Sequence, residues 1–374
     1  MKYMTKNLST NNKGRIYSVD ITRGLLVAFA VFLSNIPPGG YEWARHAQWF
    51  GFPIIDAIFP AFLTLFGVGL AIAYQKKIKW NKVLRRTIVL FVVGLIYNGI
   101  VGLDYDLGTW RLTGVLQLFA IVGLIVVFLI WINRTWVFAV SVSLVVLFSY
   151  GLLLSVSSTS CPGGLLSPEC FPLGQLDYWV YGENHLYAEG TRGYDPEGIL
   201  TMFSSIANVM LGFAAGRILL ANREKEATKP LLFLAIGIAC LVPILINFAP
   251  IGKRIWTPSF AALTAAITIF LLAIFYILID RKAREKPPSF PGMYIIEAFG
   301  RNSLIIYFGK DLISKLTIQI QVPTANGRIS LRQFLVDIFS TWSSHPKIIY
   351  ALFLLGCWTI VAIILHRRKI YIKA

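Results

Sequence analysis

Residues Leu112–Trp131 read LTGVLQLFAIVGLIVVFLIW, twenty positions without a charge. A helix rises 1.5 Å per residue, so about 20 apolar residues match a hydrocarbon layer roughly 30 Å thick. A helix apolar on every face has no side to offer water, and the stretch reads as a membrane span. Comparable stretches lie on both sides of it: Tyr17–Ile36, Pro53–Tyr74, Arg86–Leu103, Trp136–Val156, Ile199–Leu220, Leu231–Phe248, Thr257–Ile279, Tyr294–Ile318 and Ile348–His366. Charged residues make up 14% of the chain and mean hydropathy is +0.66, against about 25% charged in a soluble domain. The expectation is an all-α polytopic membrane protein with about ten transmembrane helices, residues 1–374 forming one membrane domain. Tyr294–Ile318 is the irregular span: Arg301, Lys310, Asp311 and Lys315 interrupt it, which predicts a break or a polar cavity. The first span mimics a signal peptide, but Asp20 and Arg23 inside it, with no small-residue cleavage site, read as a retained anchor.

Alternate loops divide the basic residues unevenly. The N-terminal tail, Gln75–Arg86, Asn133–Thr135, Arg217–Lys229, Asp280–Lys286 and the tail from Arg367 hold 23 of the 35 Lys and Arg. The positive-inside rule then puts both termini in the cytoplasm. Helix-end charges account for most of the net +17, so nucleic acid is not the expected partner; the lipid bilayer is. The loops Pro37–Phe52 and 157–198 fall outside. The second carries Glu169, Asp177, Glu183, Glu189, Asp195 and Glu197, and also Cys161 and Cys170, which are either a disulfide or two free thiols. No Cys/His cluster has metal-ligand spacing, and no phosphate-cradling glycine loop or Ser-His-Asp signature occurs.

Only four histidines are present. His366 lies at an interface, His345 precedes a proline, and His185 sits in the acidic outer loop. His46 is the chemical candidate. It follows Asn35 and the Pro37-Pro38-Gly39-Gly40 reversal, which brings the two toward each other at the outer end of the bundle. An imidazole titrates near neutrality and serves as proton acceptor or nucleophile, and a nearby amide can donate to an oxyanion. Trp43 and Trp49 supply an interfacial belt or an apolar wall. The bland alternative is a loop histidine bonded locally.

Several motifs occur in a fixed order: Ser18-Val19-Asp20-Ile21-Thr22-Arg23-Gly24, then Asn35, His46-Ala47-Gln48-Trp49-Phe50-Gly51 and Asp56-Ala57-Ile58-Phe59-Pro60. Gly114-Val115-Leu116-Gln117 and Gly182-Glu183-Asn184-His185-Leu186-Tyr187 follow, then Gly193-Tyr194-Asp195-Pro196-Glu197-Gly198, Lys253-Arg254-Ile255-Trp256-Thr257-Pro258-Ser259-Phe260 and Phe299-Gly300-Arg301-Asn302-Ser303-Leu304. In this order they resemble the heparan-α-glucosaminide N-acetyltransferase family of transmembrane acyltransferases, over nearly the whole chain. The departures are Ser34 where the family often has a second Asn, Leu118 where many members carry Arg, and no counterpart to the lysosomal member's luminal N-terminal extension.

The resemblance implies acetyl transfer from cytosolic acetyl-CoA, with no metal, to the amino group of a glucosamine-type sugar across the membrane. It makes His46 the catalytic histidine, with Asn35 beside it. Asp56 either orients His46 or is a helix-terminal charge favoured by the dipole. Cations for the nucleotide end of CoA are Arg15, Arg23, Arg86 and Arg301, with Asp20–Arg23 alternatively a structural ion pair. Acceptor-side candidates are Glu183, His185, Asp195, Glu197 and Trp49. Asp195 also fits an N-cap with Pro196 at the first position of the sixth span, which leaves Glu197 the better contact. Family members form homodimers, for which these residues give no signal. A bacterial inner membrane is the expected location, or a lysosomal-type membrane in a eukaryote. Two other functions fit the residues: an O-acyltransferase of a cell-envelope glycan, and a transporter or exporter without acyl chemistry.

Overall fold

A computed structural model describes residues 16–187, 194–222, 226–281, 292–325 and 327–371. The long helices are α1 (Tyr17–Ser34), α2 (Ile58–Ala73), α3 (Trp80–Gly102), α4 (Val115–Ile132) and α5 (Trp136–Ser158). A short α6 (Gln175–Tyr181) lies in the outer loop. The bundle continues with α7 (Ile199–Ala221), α8 (Thr228–Ile246) and α9 (Pro258–Phe275), which is extended by a π-turn over Tyr276–Asp280. Then come α10 (Met293–Arg301), α11 (Ser303–Gln319), a hairpin of β1 (Gln321–Thr324) and β2 (Gly327–Ser330), α12 (Leu331–Ser340) and α13 (Pro346–Arg367). Among the described residues, nine helices are long and apolar enough to cross a membrane, the second counted from Ile54. The chain is an all-α polytopic membrane protein.

One sequence expectation changes and another, the break in the Tyr294–Ile318 span, is met. The third span begins at Trp80, not Arg86, because Trp80 and Val83 give the inner turns an apolar face while Lys82 and Arg85 reach outward. Arg86 therefore sits inside a helix. The stretch Tyr294–Ile318 is two helices broken at Asn302. The broken pair still runs the length of α13: His366 stacks on Tyr294 at 4.7 Å at one end, and Tyr350 shares a 3.0 Å hydrogen bond with Thr317 toward the other.

The centre is α7, buried on almost every face. It touches α2 backbone to backbone, since a Cβ on Gly212 would overlap the Thr64 carbonyl and one on Gly67 the Val209 carbonyl. Such small-residue contacts drive helix association where lipid removes the hydrophobic incentive. Beside them, Asn208 donates to the Ala261 carbonyl and Thr264 Oγ1 at 3.1 Å each, and accepts from the Trp256 indole at 3.0 Å. Lipid-facing side chains are apolar, such as Phe233 and Val145.

Gly212→Ala is expected to destabilise the protein by about 1–3 kcal/mol, the range for an overpacked interior. Gly237→Ala, on an open face of α8 where nothing lies within 4 Å of an added Cβ, is expected to be neutral. Thermal unfolding in detergent compares the two; equal behaviour would mean the α2–α7 approach is not a constraint.

Candidate active site

The chain reverses sharply after α1. Asn35 caps the helix, its backbone N–H returning to the Leu33 and Phe32 carbonyls. Gly39 and Gly40 then adopt φ of 96° and 89°, a region open to glycine. The strand of chain that follows lies back over the mouth of α2, and a 3.0 Å bond from Ala47 N–H to Asp56 Oδ2 holds it there. His46 Nδ1 lies 2.5 Å from Asp56 Oδ1. A carboxylate only accepts, so Nδ1 carries the proton and Nε2 presents its lone pair. The Asp56 side chain is fully buried, whereas that of His46 is 51% exposed. The Asp56 oxygens are taken by His46, the Ala47 N–H and Lys253, which is the geometry of an orienting group.

A third member comes from far along the chain. Lys253 Nζ donates to Asp56 Oδ1 at 3.0 Å and lies 3.2 Å from His46 Nδ1. The turn carrying it is fixed by Trp256, whose φ of 47° is unusual for a non-glycine residue and whose indole is tied to Asn208. Asp56 thus receives two side-chain donors and one backbone donor, which compensates a carboxylate held away from water.

Asn35 is buried, and its amide donates to the Val31 carbonyl at 2.7 Å. No hydrogen bond joins it to His46 among the described residues. Trp49 does not form an open wall. It is buried, donates from its indole to the Leu166 carbonyl at 3.0 Å, and stacks edge-on with Tyr194 at 4.9 Å. It fastens the His46 segment to the outer loop, where Cys161 and Cys170 are bridged with their Cα atoms 5.8 Å apart.

Asp195 is not an N-cap; α7 starts after Gly198. Arg111 holds both acids instead, Asp195 Oδ1 at 3.0 Å and Glu197 Oε2 at 2.5 Å, and Thr113 donates to Asp195 Oδ2 at 2.6 Å. His185 Nδ1 lies 2.8 Å from the Trp110 carbonyl and pins the same loop. Glu183 is exposed and bonds to no described residue. The helix start is served by Asp177, which accepts from Ile199 N–H at 2.8 Å.

A cavity of about 550 Å³ opens inside the bundle. Arg23, Arg86 and Arg301 line one end, and Phe59, Phe62 and Phe119 line the other. Phe59 is one helical turn beyond Asp56. Asp20 pairs with Arg23 at 3.9 Å and also lines the space, so the ion pair and the cavity wall are the same structure. Arg301 stacks on Tyr371 at 3.7 Å, and the buried Arg86 Nε has no hydrogen-bond partner among the described residues. Arg15 lies outside the described residues. Among the described residues no group of three or more His, Cys, Asp and Glu could hold a metal ion.

A family model described as heparan-alpha-glucosaminide N-acetyltransferase, catalytic, matches residues 15–241. The chain belongs to the heparan-α-glucosaminide N-acetyltransferase family. A mouse protein named heparan-alpha-glucosaminide N-acetyltransferase is 25% identical over 99% of this chain and 61% of its own length. The human protein of that name is 24% identical over 96% of this chain and 60% of its own. The chain spans about three fifths of the length of these curated relatives.

Within the family frame, sequence reasoning had no role for Lys253 or Arg111. Lys253 opens a motif that carries the resemblance, but its partner lies 197 positions earlier in sequence, beyond any local spacing rule. Arg111 counted only as one cation among the outer loops, although the reciprocal need of Asp195 and Glu197 for a cation could have pointed to it.

Asp177 offers a pH test. Burial pushes its carboxyl up to about 6, above the unfolded value of 3.8. The folded state therefore binds the proton more tightly, and this carboxyl's contribution to stability falls as pH rises from about 4 to 6. Asp177→Asn, which can still accept from Ile199, is expected to gain thermal stability relative to wild type across that window. A pH-independent difference would place the ionisation elsewhere.

Proposed function

We propose that this chain is a transmembrane acetyltransferase, moving acetyl from acetyl-CoA to the amino group of a glucosamine-type sugar on the opposite side of the membrane. The observation that carries this reading is the cavity lined by three arginines and by Phe59, which lies one helical turn from Asp56 of the His46–Asp56–Lys253 cluster. Guanidinium groups suit the phosphates of CoA, and the unpartnered Nε of Arg86 supplies a donor awaiting an acceptor. The positive-inside bias puts the arginines on the cytoplasmic side; the membrane in this reading is of bacterial inner-membrane type. The relatives' printed names supply the reaction class.

With Nδ1 on Asp56, Nε2 is the ring nitrogen of His46 left to serve the acceptor. As a base it takes a proton from the sugar amine while the amine nitrogen attacks the thioester carbon, the C–S bond breaks and sulfur leaves with the electron pair. As a nucleophile it forms the C–N bond itself and passes acetyl on in a second step. With Asp195 and much of Glu197 committed to Arg111, the exposed Glu183 and the free edge of Glu197 meet the acceptor's ammonium.

Purified protein incubated with radiolabelled acetyl-CoA and glucosamine tests the reading. Labelled N-acetylglucosamine is expected; label kept on the protein without acceptor identifies the nucleophilic route. No transfer to any amino sugar, with no CoA binding, would favour a transporter. Arg86→Gln is expected to raise KM for acetyl-CoA by about ten- to a hundredfold, the loss of one or two charged hydrogen bonds, and to leave KM for the acceptor unchanged. A change confined to the acceptor would reverse the assignment of the cavity.

A further inference from the structure

Between the donor cavity and the His46 cluster stands a tyrosine backed by an ion pair. Tyr307 on α11 lines the cavity. It packs against the apolar cluster that includes Leu33, Ile55 and Ile58, the last two within two positions of Asp56, and meets the Phe62 ring edge-on at 5.1 Å. Its hydroxyl bonds to no described residue, yet it is not among the sealed polar atoms without a partner, so it opens onto the cavity. Behind the ring, Lys310 Nζ sits 4.9 Å from the centroid. Asp311 Oδ1 holds that ammonium at 2.6 Å, and Tyr97 donates to Asp311 Oδ2 at 2.8 Å. The Lys310 side chain is 6% exposed. A buried lysine inside a span-length apolar stretch is expensive to keep, even paired with a partly exposed carboxylate, and marks a site by default.

Acetyl transfer from a thioester creates an anion twice, at the carbonyl oxygen and then at the departing sulfur. The sulfur must bear its charge among the phenylalanines of the cavity, away from the arginines, where an unpartnered anion is strongly disfavoured. We propose that Tyr307 is the leaving-group residue of this site, its hydroxyl donating a hydrogen bond to the thioester sulfur as the C–S bond breaks. The electron pair goes to sulfur, the amine proton goes to His46, and the thiolate takes a proton from water at the arginine end as CoA departs. Lys310, fixed by Asp311, is a positioning residue: its ammonium lies against the ring face and holds the phenol in place. The proposal rests on the donor reading of the cavity.

The test is displacement of radiolabelled acetyl-CoA from purified protein by CoA and by desulfo-CoA, which lacks the thiol. Wild type is expected to prefer CoA, increasingly so as pH rises from 6 to 9 and the thiol ionises. Tyr307→Phe is expected to bind desulfo-CoA as wild type does but to lose the preference, about tenfold or more for a hydrogen bond to an anion. Its kcat falls by a similar factor with KM for acetyl-CoA unchanged. A preference retained in Tyr307→Phe, or none in wild type at any pH, overturns the proposal; the wild-type arm needs no variant to fold. His46→Ala is expected to keep the preference while losing transfer. If neither CoA nor desulfo-CoA displaces label from wild type, the donor reading falls, and that outcome is distinct from loss of the Tyr307 role alone.

Discussion

His46→Ala is expected to lower kcat for acetyl transfer by about 10³-fold or more, toward the upper end of what a positioned acid–base group supplies. The imidazole is half exposed, so its removal leaves no cavity in the core, and the melting temperature should hold. Asp56→Asn is expected to lose about 10²-fold or more while His46 is still present, again within the acid–base range. The reason is tautomeric. Asp56 Oδ1 can only accept, which fixes the proton on Nδ1 and the lone pair on Nε2. An asparagine offers either an oxygen or an NH₂ at the same place, and the NH₂ stabilises the tautomer with its lone pair facing inward. It also leaves Lys253 Nζ, 3.0 Å away and 19% exposed, without its counter-charge. Single-turnover rates beside unfolding curves separate the two effects. If His46→Ala retained wild-type turnover, the whole cluster would be structural, and the cavity would need another exit for the acetyl group.

The fold is legible in the sequence because a bilayer imposes a coarse rule: long apolar stretches must be helices, since little else satisfies the backbone in hydrocarbon. Leu112–Trp131 needs no tertiary information to be read that way. The break at Asn302 was signalled by the charges around it, whereas the start of α3 at Trp80 was not, because lysines at the inner end of a helix look like loop residues in sequence. The site divides similarly. His46 and Asp56 are ten residues apart across a proline-glycine reversal, so their meeting is a local matter. Lys253 reaches them only because α9 returns beside α2, and Trp49 turns inward because the outer loop supplies the Leu166 carbonyl and Tyr194. Those facts belong to packing. Arg23, Arg86 and Arg301 lie on α1, α3 and α10, and only the assembled bundle places them on one cavity.

Arg111→Met is expected to destabilise the outer face by about 3–5 kcal/mol, the usual consequence of orphaning a buried carboxylate. Burial alone draws the Arg111 guanidinium down, but Glu197 and Asp195 more than offset this and hold it above its ordinary value. Asp195 is fully buried; without Arg111 it keeps Thr113 and the Tyr187 and Glu197 amides but loses its cation. Arg111→Lys should recover only part of the loss, because one ammonium cannot reproduce the guanidinium that bridges Asp195 and Glu197 and also donates to Thr113 Oγ1 at 3.1 Å. Adding Glu197→Gln to Arg111→Met should recover some stability by removing one orphaned charge, so the double-mutant cycle is expected to show coupling rather than additivity. The loss should also reach the chemistry. The loop that Arg111 secures is tied through His185 to Trp110, and the region packs with Trp49 on the His46 segment. Reduced kcat in Arg111→Met, with KM for acetyl-CoA unchanged, would show that the acid pair holds the acceptor face in place. Unchanged kcat in a destabilised variant would confine Arg111 to folding and leave the acceptor side to Glu183.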